Sequence, residues 1–552
     1  MQIADKYAKG AFPPAGGGAP DITDQLQQQR AYHRRILWQR TLGLWWYRIL
    51  LIIVAVLVGT IGGLVIANIS QAYMGQAALT IVKISAGGFV GLILFFLAVR
   101  RLEFGLLLLT IFATAFLPQL FTVKSLSIFP ATPLLFFLFF VLLIQAAFHL
   151  RKFVFPSFWA IWPQLALIIV AIISTIMVQL TWTAGVPHKL NSNPILYDEL
   201  FGIGLCFIPL IAIMVTTMAI SEKGRYVEYI QRTFLILAFL AAAIVVIEFK
   251  RIGATVYTFR YSEPTILWMK LKDLAQLINL GAMIAYVRLL YATRWRTRGF
   301  YAAILVMCLV GVYFTLENSW WLEIGVALLV ITIVYSRRLI LWCCIAALPA
   351  IPLIKAELAK IATVKTADYY RLIIWQDALR VWSKQPILGV GPGDFWAYDQ
   401  HFTQLPRVVR NCTTTGLCVA HNGYLQVLAE MGVVGLFVWL AIIVGIAYIA
   451  AKLIRRSKVP KQKSARFVDL LGLNLSVESE KRDDHMLGMI GLGLICGSAV
   501  ADFFSGGFIL PARQIDSFQW IPHVLTSWII FGCVIYRDQI WRMARKGLKI
   551  SG

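Results

Sequence analysis

Long apolar runs alternate with short polar or charged connections from about residue 49 to residue 536. Most runs hold roughly 17–23 residues, and helices of that length cross the ~30 Å hydrocarbon core of a bilayer. We therefore predict an all-α, polytopic membrane protein with about fourteen transmembrane helices, in a range of about 12–14. The predicted spans are 49–69, 78–99, 103–122, 128–149, 158–182, 201–220, 233–249, 273–291, 299–316, 320–335, 339–354, 422–451, 486–504 and 521–536.

Composition supports a membrane protein. Hydrophobic residues make up 59% of the 552 residues and charged residues only 14%, and the mean hydropathy is +0.74. An ordinary soluble domain is about half apolar and about one quarter charged. A soluble fold is therefore excluded.

The net charge of +24 first invites a nucleic-acid partner. If the N-terminus is cytoplasmic, however, most of the 51 Lys and Arg residues fall on cytoplasmic segments. Short cytoplasmic loops of membrane proteins are enriched in these residues. The basic charge is thus explained by topology and by contact with anionic lipid, and we predict no nucleic-acid partner.

This topology divides the chain into five parts. We predict a partly disordered cytoplasmic tail over 1–43, helices 1–11 over 44–354, and an extracytoplasmic loop over 355–421. Helices 12–14 follow over 422–536, with a second cytoplasmic tail over 537–552. The first span is too long, and begins too far from the N-terminus, for a cleavable signal peptide.

The loop 355–421 is longer than a connection requires, and loops of that length are usually functional. Its stretch 368–386 has helical periodicity and should end at Gln385-Pro386, with Thr366 or Asp368 as candidate cap. We predict an amphipathic helix on the outer membrane surface. The residues expected to share its one face are Arg371, Trp375, Leu379 and Trp382.

Three glycines follow this helix, at Gly389, Gly391 and Gly393. Their spacing resembles a phosphate-binding loop, but no strand-to-helix context surrounds them. A tight turn whose glycines take positive φ is the favoured interpretation. Such a turn would set how the surface helix faces the end of the loop.

Two of the eight cysteines, Cys412 and Cys418, share the external loop. In an oxidising compartment we predict a disulfide between them. A metal site is disfavoured because no second cysteine pair complements them. The other six cysteines lie in predicted spans, where a free thiol behaves as a small apolar residue.

A His421-Asn422 pair closes the loop, nine residues ahead of Gly432-x-x-Gly435. Taken alone, the pair would be a helix cap, and the glycines would let another helix approach closely. An external arginine such as Arg260 or Arg371 would, taken alone, bind lipid phosphate or extend to the interface. Together, these residues indicate guanidinium groups for a diphosphate beside a titratable histidine.

The pattern resembles the O-antigen ligase and O-antigen polymerase superfamily of bacterial envelope glycosyltransferases, over roughly residues 200–450. The family motif His-(Asn/Ser/Gln), nine residues, Gly-x-x-Gly is matched by His421, Asn422, Gly432 and Gly435. Upstream family features are matched by Arg371, Trp375, the segment from Pro386 to Phe395 and, less closely, Arg260. Two positions depart from the family: Leu316–Trp320 lacks an arginine and Leu436 replaces a threonine.

The resemblance implies inverting transfer of a glycan from undecaprenyl diphosphate to an acceptor hydroxyl. The reaction would occur on the outer face of the bacterial inner membrane, with both termini cytoplasmic. His421 would be the general base, and Arg260 and Arg371 would hold the leaving diphosphate. The residues expected to bind substrate are Asn422, Trp375, Tyr261 and Arg513.

We predict no cofactor and no metal. Related membrane glycosyltransferases that need a metal carry acidic residues in the first external loop, whereas 70–77 has none. Three acceptors remain open: a lipopolysaccharide core sugar (a ligase), another lipid-linked repeat (a polymerase), or a protein hydroxyl (an oligosaccharyltransferase). The core sugar is favoured.

The competing function is a transporter or lipid flippase. Transporters need polar or ionisable groups near the middle of the membrane. The charged residues Arg48, Lys83 and Arg288 lie instead near the ends of predicted spans. An enzyme with an external site is therefore favoured.

Overall fold

The computed structural model describes most of the chain beyond residue 101. The described residues are 102–114, 121–123, 126–128, 131–148, 153–181, 195–220, 224–251, 265–266, 269–270, 274–315, 318–336, 367–395, 398, 419–457, 475–504 and 521–545. Almost all of them belong to one compact unit, Leu97–Ala146 with Lys152–Gly552.

This part of the chain is helical apart from two short hairpins. Its helices are α1 (Leu102–Phe112), α2 (Ala131–Ala147), α3 (Phe158–Thr181), α4 (Ile195–Ile220), α5 (Tyr226–Arg251), α6 (Ala275–Tyr291), α7 (Trp295–Thr315), α8 (Asn318–Tyr335), α9 (Ala367–Lys384), α10 (Gly423–Arg456), α11 (Leu475–Asp502) and α12 (Ile521–Arg545). Its strands are β1 (Phe121–Val123), β2 (Leu126–Ile128), β3 (Thr265–Ile266) and β4 (Met269–Lys270).

Six of the described helices are long and apolar enough to cross a membrane, namely α3, α4, α5, α7, α10 and α11. Shorter apolar helices occupy α1, α2, α6 and most of α8. The predicted spans from 128–149 onward each coincide with a helix where the structure describes them. The predicted spans 49–69, 78–99 and 339–354 lie outside the described residues.

The predicted span 103–122 is wrong in its second half. Helix α1 ends at Phe112, and Phe121–Val123 pairs antiparallel with Leu126–Ile128 as a hairpin. These strands are made largely of aromatic and β-branched residues, which favour extended backbone. A second antiparallel hairpin, Thr265–Ile266 with Met269–Lys270, interrupts the predicted connection 250–272.

Helix α10 has one exposed apolar face and one buried face. Phe437, Val444 and Tyr448 are 71%, 64% and 60% exposed and recur at spacings of seven and four residues. Trp439 and Ile442, on the other side, are buried against neighbouring helices. An apolar stripe left bare beside a buried face is typical of a lipid-facing helix.

Helices α3, α9 and α11 pack against α10, and α8 lies along α11. Close approach of α8 and α11 depends on Gly497, where a Cβ would lie 2.6 Å from the Glu323 carbonyl oxygen. This packing brings the start of α10 next to the end of α11, since the two helices run in opposite directions.

The opposite end of the bundle is held by buried ion pairs. Arg537 Nε donates to Asp484 Oδ1, and the other oxygen of Asp484 accepts from Trp541 Nε1 at 2.8 Å. Asp538 accepts from Arg456 at 2.6 Å and from Arg542 at 2.7 Å. These bonds tie α11 to α12 and α10 to α12.

Candidate active site

His421 has an unusual backbone. Its φ is +49°, and it is the one non-glycine residue with positive φ among the residues that the structure describes. Left-handed backbone is uncommon outside glycine, although histidine and asparagine tolerate it better than most residues. Such conformations concentrate at functional sites, where the surrounding structure holds them in place.

Asn422 caps the helix that His421 precedes. Its Oδ1 accepts hydrogen bonds from the backbone N–H groups of Tyr424 and Leu425, each at 3.0 Å. The cap satisfies two of the donors left open at a helix start. The Asn422 side chain is buried and its oxygen is used in the cap, so it fixes the start of the helix next to His421, while its predicted contact with substrate stays a prediction.

A second contact holds the residues just before His421. The Ala420 backbone N–H donates to Gln426 Oε1 at 2.8 Å, and Gln426 Nε2 donates to Glu430 Oε1. Val419 and Ala420 are both buried. The segment entering α10 is therefore fixed against the first turns of the same helix.

Helix α10 is broken at Gly432, whose φ of 65° and ψ of −167° are not helical. Such a break leaves backbone groups without helical partners. The turn after α9 supplies them: Val390 N and Gly391 N donate to the carbonyls of Ala429 and Glu430 at 3.0 and 2.9 Å. In return, Val433 N and Val434 N donate to Pro386 and Ile387.

These reciprocal backbone hydrogen bonds between residues 386–391 and 429–434 are called the backbone interlock below. It requires glycine in both segments. A Cβ at Gly432 would lie 2.2 Å from the Ile387 carbonyl oxygen, and one at Gly389 would lie 2.4 Å from the Glu430 oxygen. Gly389, Gly391 and Gly393 all have positive φ, as the predicted tight turn requires.

The predicted role of Gly432, to admit another helix, is corrected: it breaks its own helix and meets a turn. Gly435 also differs from that prediction. A Cβ there would lie 2.2 Å from the Met431 Cβ of its own helix, but 3.8 Å from Val170 of α3. Ser174 of α3 supports the interlock, since its Oγ donates to the Leu388 carbonyl at 2.7 Å.

A helix is present where the sequence predicts one in the external loop, whereas its place on the membrane surface stays a prediction. Helix α9 runs from Ala367 to Lys384, and its buried residues are Ile374, Asp377, Ala378 and Val381. Leu379 is 43% exposed. Arg371, Trp375 and Trp382, which were predicted to share a face with Leu379, are half-buried.

Trp375 lies on an aromatic path to α10. Its ring meets Phe503 edge-to-face at 5.6 Å between centroids, and Phe503 meets Tyr424 at 6.3 Å. The Trp375 Nε1–H is buried and has no acceptor among the described residues. Arg371, one turn earlier on α9, is half-buried.

Asp502 was missed by the sequence analysis. It is fully buried at the end of α11, and a Cβ on Gly423 would lie 3.2 Å from its carboxyl carbon. Tyr424 OH donates to the neighbouring Ala499 carbonyl at 2.7 Å. One signal in the sequence could have indicated it, namely a carboxylate at the end of an apolar run. Ionisable side chains in membrane segments are costly to bury and are usually functional.

Several predicted site residues lie outside the described residues, namely Arg260, Tyr261, Arg513, Cys412 and Cys418. Within the described part, His421 and Asn422 lie at the start of α10, where Asp502 packs on Gly423 and Phe503 links Tyr424 to Trp375. The turn that contains Gly389, Gly391 and Gly393 contacts α10 about two turns further along, at Ala429 and Glu430. No cluster of three His, Cys, Asp or Glu side chains suited to a metal occurs in that part.

The described residues define a mainly helical protein with several helices able to cross a membrane, and with the His421-Asn422 pair at the start of one of them. Residues 302–440 match the Wzy_C family, described as O-antigen ligase. This match confirms the resemblance to the O-antigen ligase and polymerase superfamily. It covers α8, α9, the glycine turn and the start of α10, including His421. A search of curated proteins found no match.

Proposed function

We propose that the protein is an inverting glycosyltransferase of the O-antigen ligase type. The donor would be a glycan on undecaprenyl diphosphate, and the site would face the outside of the inner membrane. The observation that carries this proposal is His421, held at positive φ by a buried cap inside the region that matches the O-antigen ligase family.

In the proposed reaction, His421 accepts the proton of the acceptor hydroxyl. An imidazole with an ordinary pKa near ~6.5 suits this role at neutral pH. The acceptor oxygen forms a bond to the anomeric carbon as the bond from that carbon to the diphosphate oxygen breaks. The leaving diphosphate keeps the electron pair, and direct displacement inverts the anomeric configuration.

Arg371 and Arg260 would stabilise the charge that develops on the leaving diphosphate. Arg371 is supported by its place one helical turn from Trp375, whose aromatic path leads to Tyr424 at the start of α10. Arg260 is proposed from the sequence alone. Tyr261 and Arg513 remain proposed substrate contacts on the same basis.

Asp502 would position the start of α10 and favour the positive charge that His421 acquires. Its burial next to Gly423 supports that role, because a carboxylate in a site with little water acts strongly on nearby charge. Asp502→Asn should therefore slow transfer and shift its pH profile, while leaving donor binding in place.

The reaction is proposed to need no metal, since arginines would take the place of a divalent cation. Transfer by the purified protein in liposomes should continue in EDTA. Loss of transfer in EDTA, with recovery on adding Mg²⁺ or Mn²⁺, would contradict this part of the proposal.

The favoured acceptor is a lipopolysaccharide core sugar, with a polymerase or a protein oligosaccharyltransferase as alternatives. A deletion strain separates the first two. Accumulation of full-length lipid-linked polymer would support a ligase, whereas a core capped with single repeats would support a polymerase. Loss of glycan from a protein, with normal lipopolysaccharide, would support the third alternative.

The direct test is reconstitution with a polyprenyl-diphosphate-linked glycan and a core-sugar acceptor. We expect release of the lipid diphosphate in step with product, and an inverted anomeric linkage by NMR. Movement of intact donor across the bilayer without cleavage would support the transporter alternative and overturn the proposal.

A further inference from the structure

A buried polar cluster lies among α6, α8, α11 and α12. Its member on α11, Ser498, is one helical turn before Asp502. Glu323 of α8 accepts hydrogen bonds from Asn279 Nδ2 at 2.7 Å and from Ser498 Oγ at 2.7 Å. Gln276, one turn before Asn279 on α6, donates to Ser527 of α12 at 2.9 Å and is also hydrogen-bonded to the Glu323 carboxylate. All five side chains are at most 1% exposed.

This cluster contains more acceptor atoms than its donors satisfy. Both donor positions of the Asn279 amide are used, by Glu323 and by the Trp320 carbonyl at 3.0 Å. The amide oxygens of Asn279 and Gln276 are buried and receive no hydrogen bond from the described residues. Buried acceptors without a partner are uncommon and costly.

The charge of the Glu323 carboxylate also needs a partner. Burying an ionised carboxylate without a cation costs roughly several kcal/mol or more, and for that reason unpaired buried carboxylates are rare. No Lys or Arg is paired with Glu323 among the described residues. A proton alone would neutralise it, but one O–H group can satisfy only one of the two amide oxygens.

We propose that this cluster binds a monovalent alkali cation, namely Na⁺. The oxygen ligands would come from Glu323, Asn279 and Gln276. A hard cation prefers oxygen ligands, and carboxylate and amide oxygens are the donors available. One positive charge balances the single carboxylate, whereas a divalent ion would leave net charge in a low-dielectric interior.

The position gives the cation a role in holding the site. Its ligands come from α6 and α8, and hydrogen bonds connect the cluster to α11 and α12. On α11, Ser498 precedes Ala499, whose carbonyl binds Tyr424, and lies one turn before Asp502. The cation would therefore fix the end of α11 against the start of α10.

The test measures cation binding rather than glycan transfer, so its result is independent of the proposed function. The purified protein is melted in detergent in NaCl, KCl or choline chloride at equal ionic strength. We expect Na⁺ to raise the Tm by about 3 °C or more above choline, in a saturable way. Glu323→Gln should abolish this Na⁺-dependent rise.

Two further variants keep the test decisive. Glu228→Gln, at the opposite end of the bundle, should retain the Na⁺-dependent rise. Should Glu323→Gln fail to fold, Ser498→Ala is the milder change, expected to weaken saturable binding of radioactive sodium severalfold. Equal Tm in all three salts, or a Na⁺ effect unchanged by these cluster variants, would overturn the proposal.

Discussion

The two ends of the helix bundle are held together by different means. At the end that carries His421, the turn after α9 joins α10 through backbone hydrogen bonds between glycine-rich segments. At the other end, side-chain ion pairs such as Arg537–Asp484 and Arg456–Asp538 join the helices. Between α9 and α10 the bonds join mainly backbone atoms, whereas at the other end they join charged side chains.

The difference lies in which atoms make the contacts. Backbone bonds at Gly389 and Gly432 fix the geometry without using the charged side chains of α9 or the histidine before α10. At the opposite end, the oxygens of Asp484 and Asp538 are occupied by arginine and tryptophan donors. The turn after α9 is therefore held to α10 mainly through backbone atoms, whereas the opposite end depends on ion pairs that a single substitution can remove.

The largest effect is expected when the backbone interlock is broken. Gly432→Ala places a Cβ 2.2 Å from the Ile387 carbonyl oxygen at positive φ, and should cost about 4 kcal/mol or more. Little folded protein should be recovered. Gly445→Ala is the matched control, since a Cβ there meets nothing within 4 Å. Equal yields and Tm for both variants would show that the interlock is dispensable.

Breaking an ion pair at the other end should cost slightly less. Arg537→Met leaves Asp484 buried without its arginine and should destabilise the protein by about 3–5 kcal/mol, while transfer per folded molecule stays normal. Arg232→Ala removes an arginine that is 60% exposed and should cost less than about 1 kcal/mol. Similar Tm values for the two variants would contradict this assignment.

The smallest effect on stability is expected at the helix cap. Asn422→Ala removes two hydrogen bonds and should cost about 1 kcal/mol, yet reduce transfer about tenfold or more because His421 moves. Asn422→Asp keeps a capping oxygen and should restore most of the rate. Transfer that falls no more than folded yield in the alanine variant would mean that the cap does not position His421.

Hydropathy and glycine positions predicted much of this structure. Apolar runs located the helices, and Gly389, Gly391 and Gly393 indicated the turn because few other residues adopt positive φ. The start of α10 beside the His421-Asn422 pair was also predicted, from the apolar run that begins there. These features depend on local sequence, which is why a single chain reveals them.

Features that depend on distant contacts were not predicted. The break at Gly432 is stable because the turn around Ile387 supplies its hydrogen bonds, and neither segment specifies the other. The buried face of α9 is set by what α10 presents to it. Asp502 and Glu323 were missed because each is a single carboxylate in an apolar run. No neighbouring residues form a motif that would indicate its partners.

The central claim, that His421 carries out the proton transfer, is tested most directly by His421→Asn. Asparagine tolerates positive φ, so the backbone is kept while the base is removed. We predict that single-turnover transfer in liposomes, per folded molecule, falls by about 10²–10⁴-fold. His485→Asn, a histidine at the opposite end, should transfer normally. A His421→Asn rate within about twofold of the unaltered protein, against that expected loss, would contradict the claim.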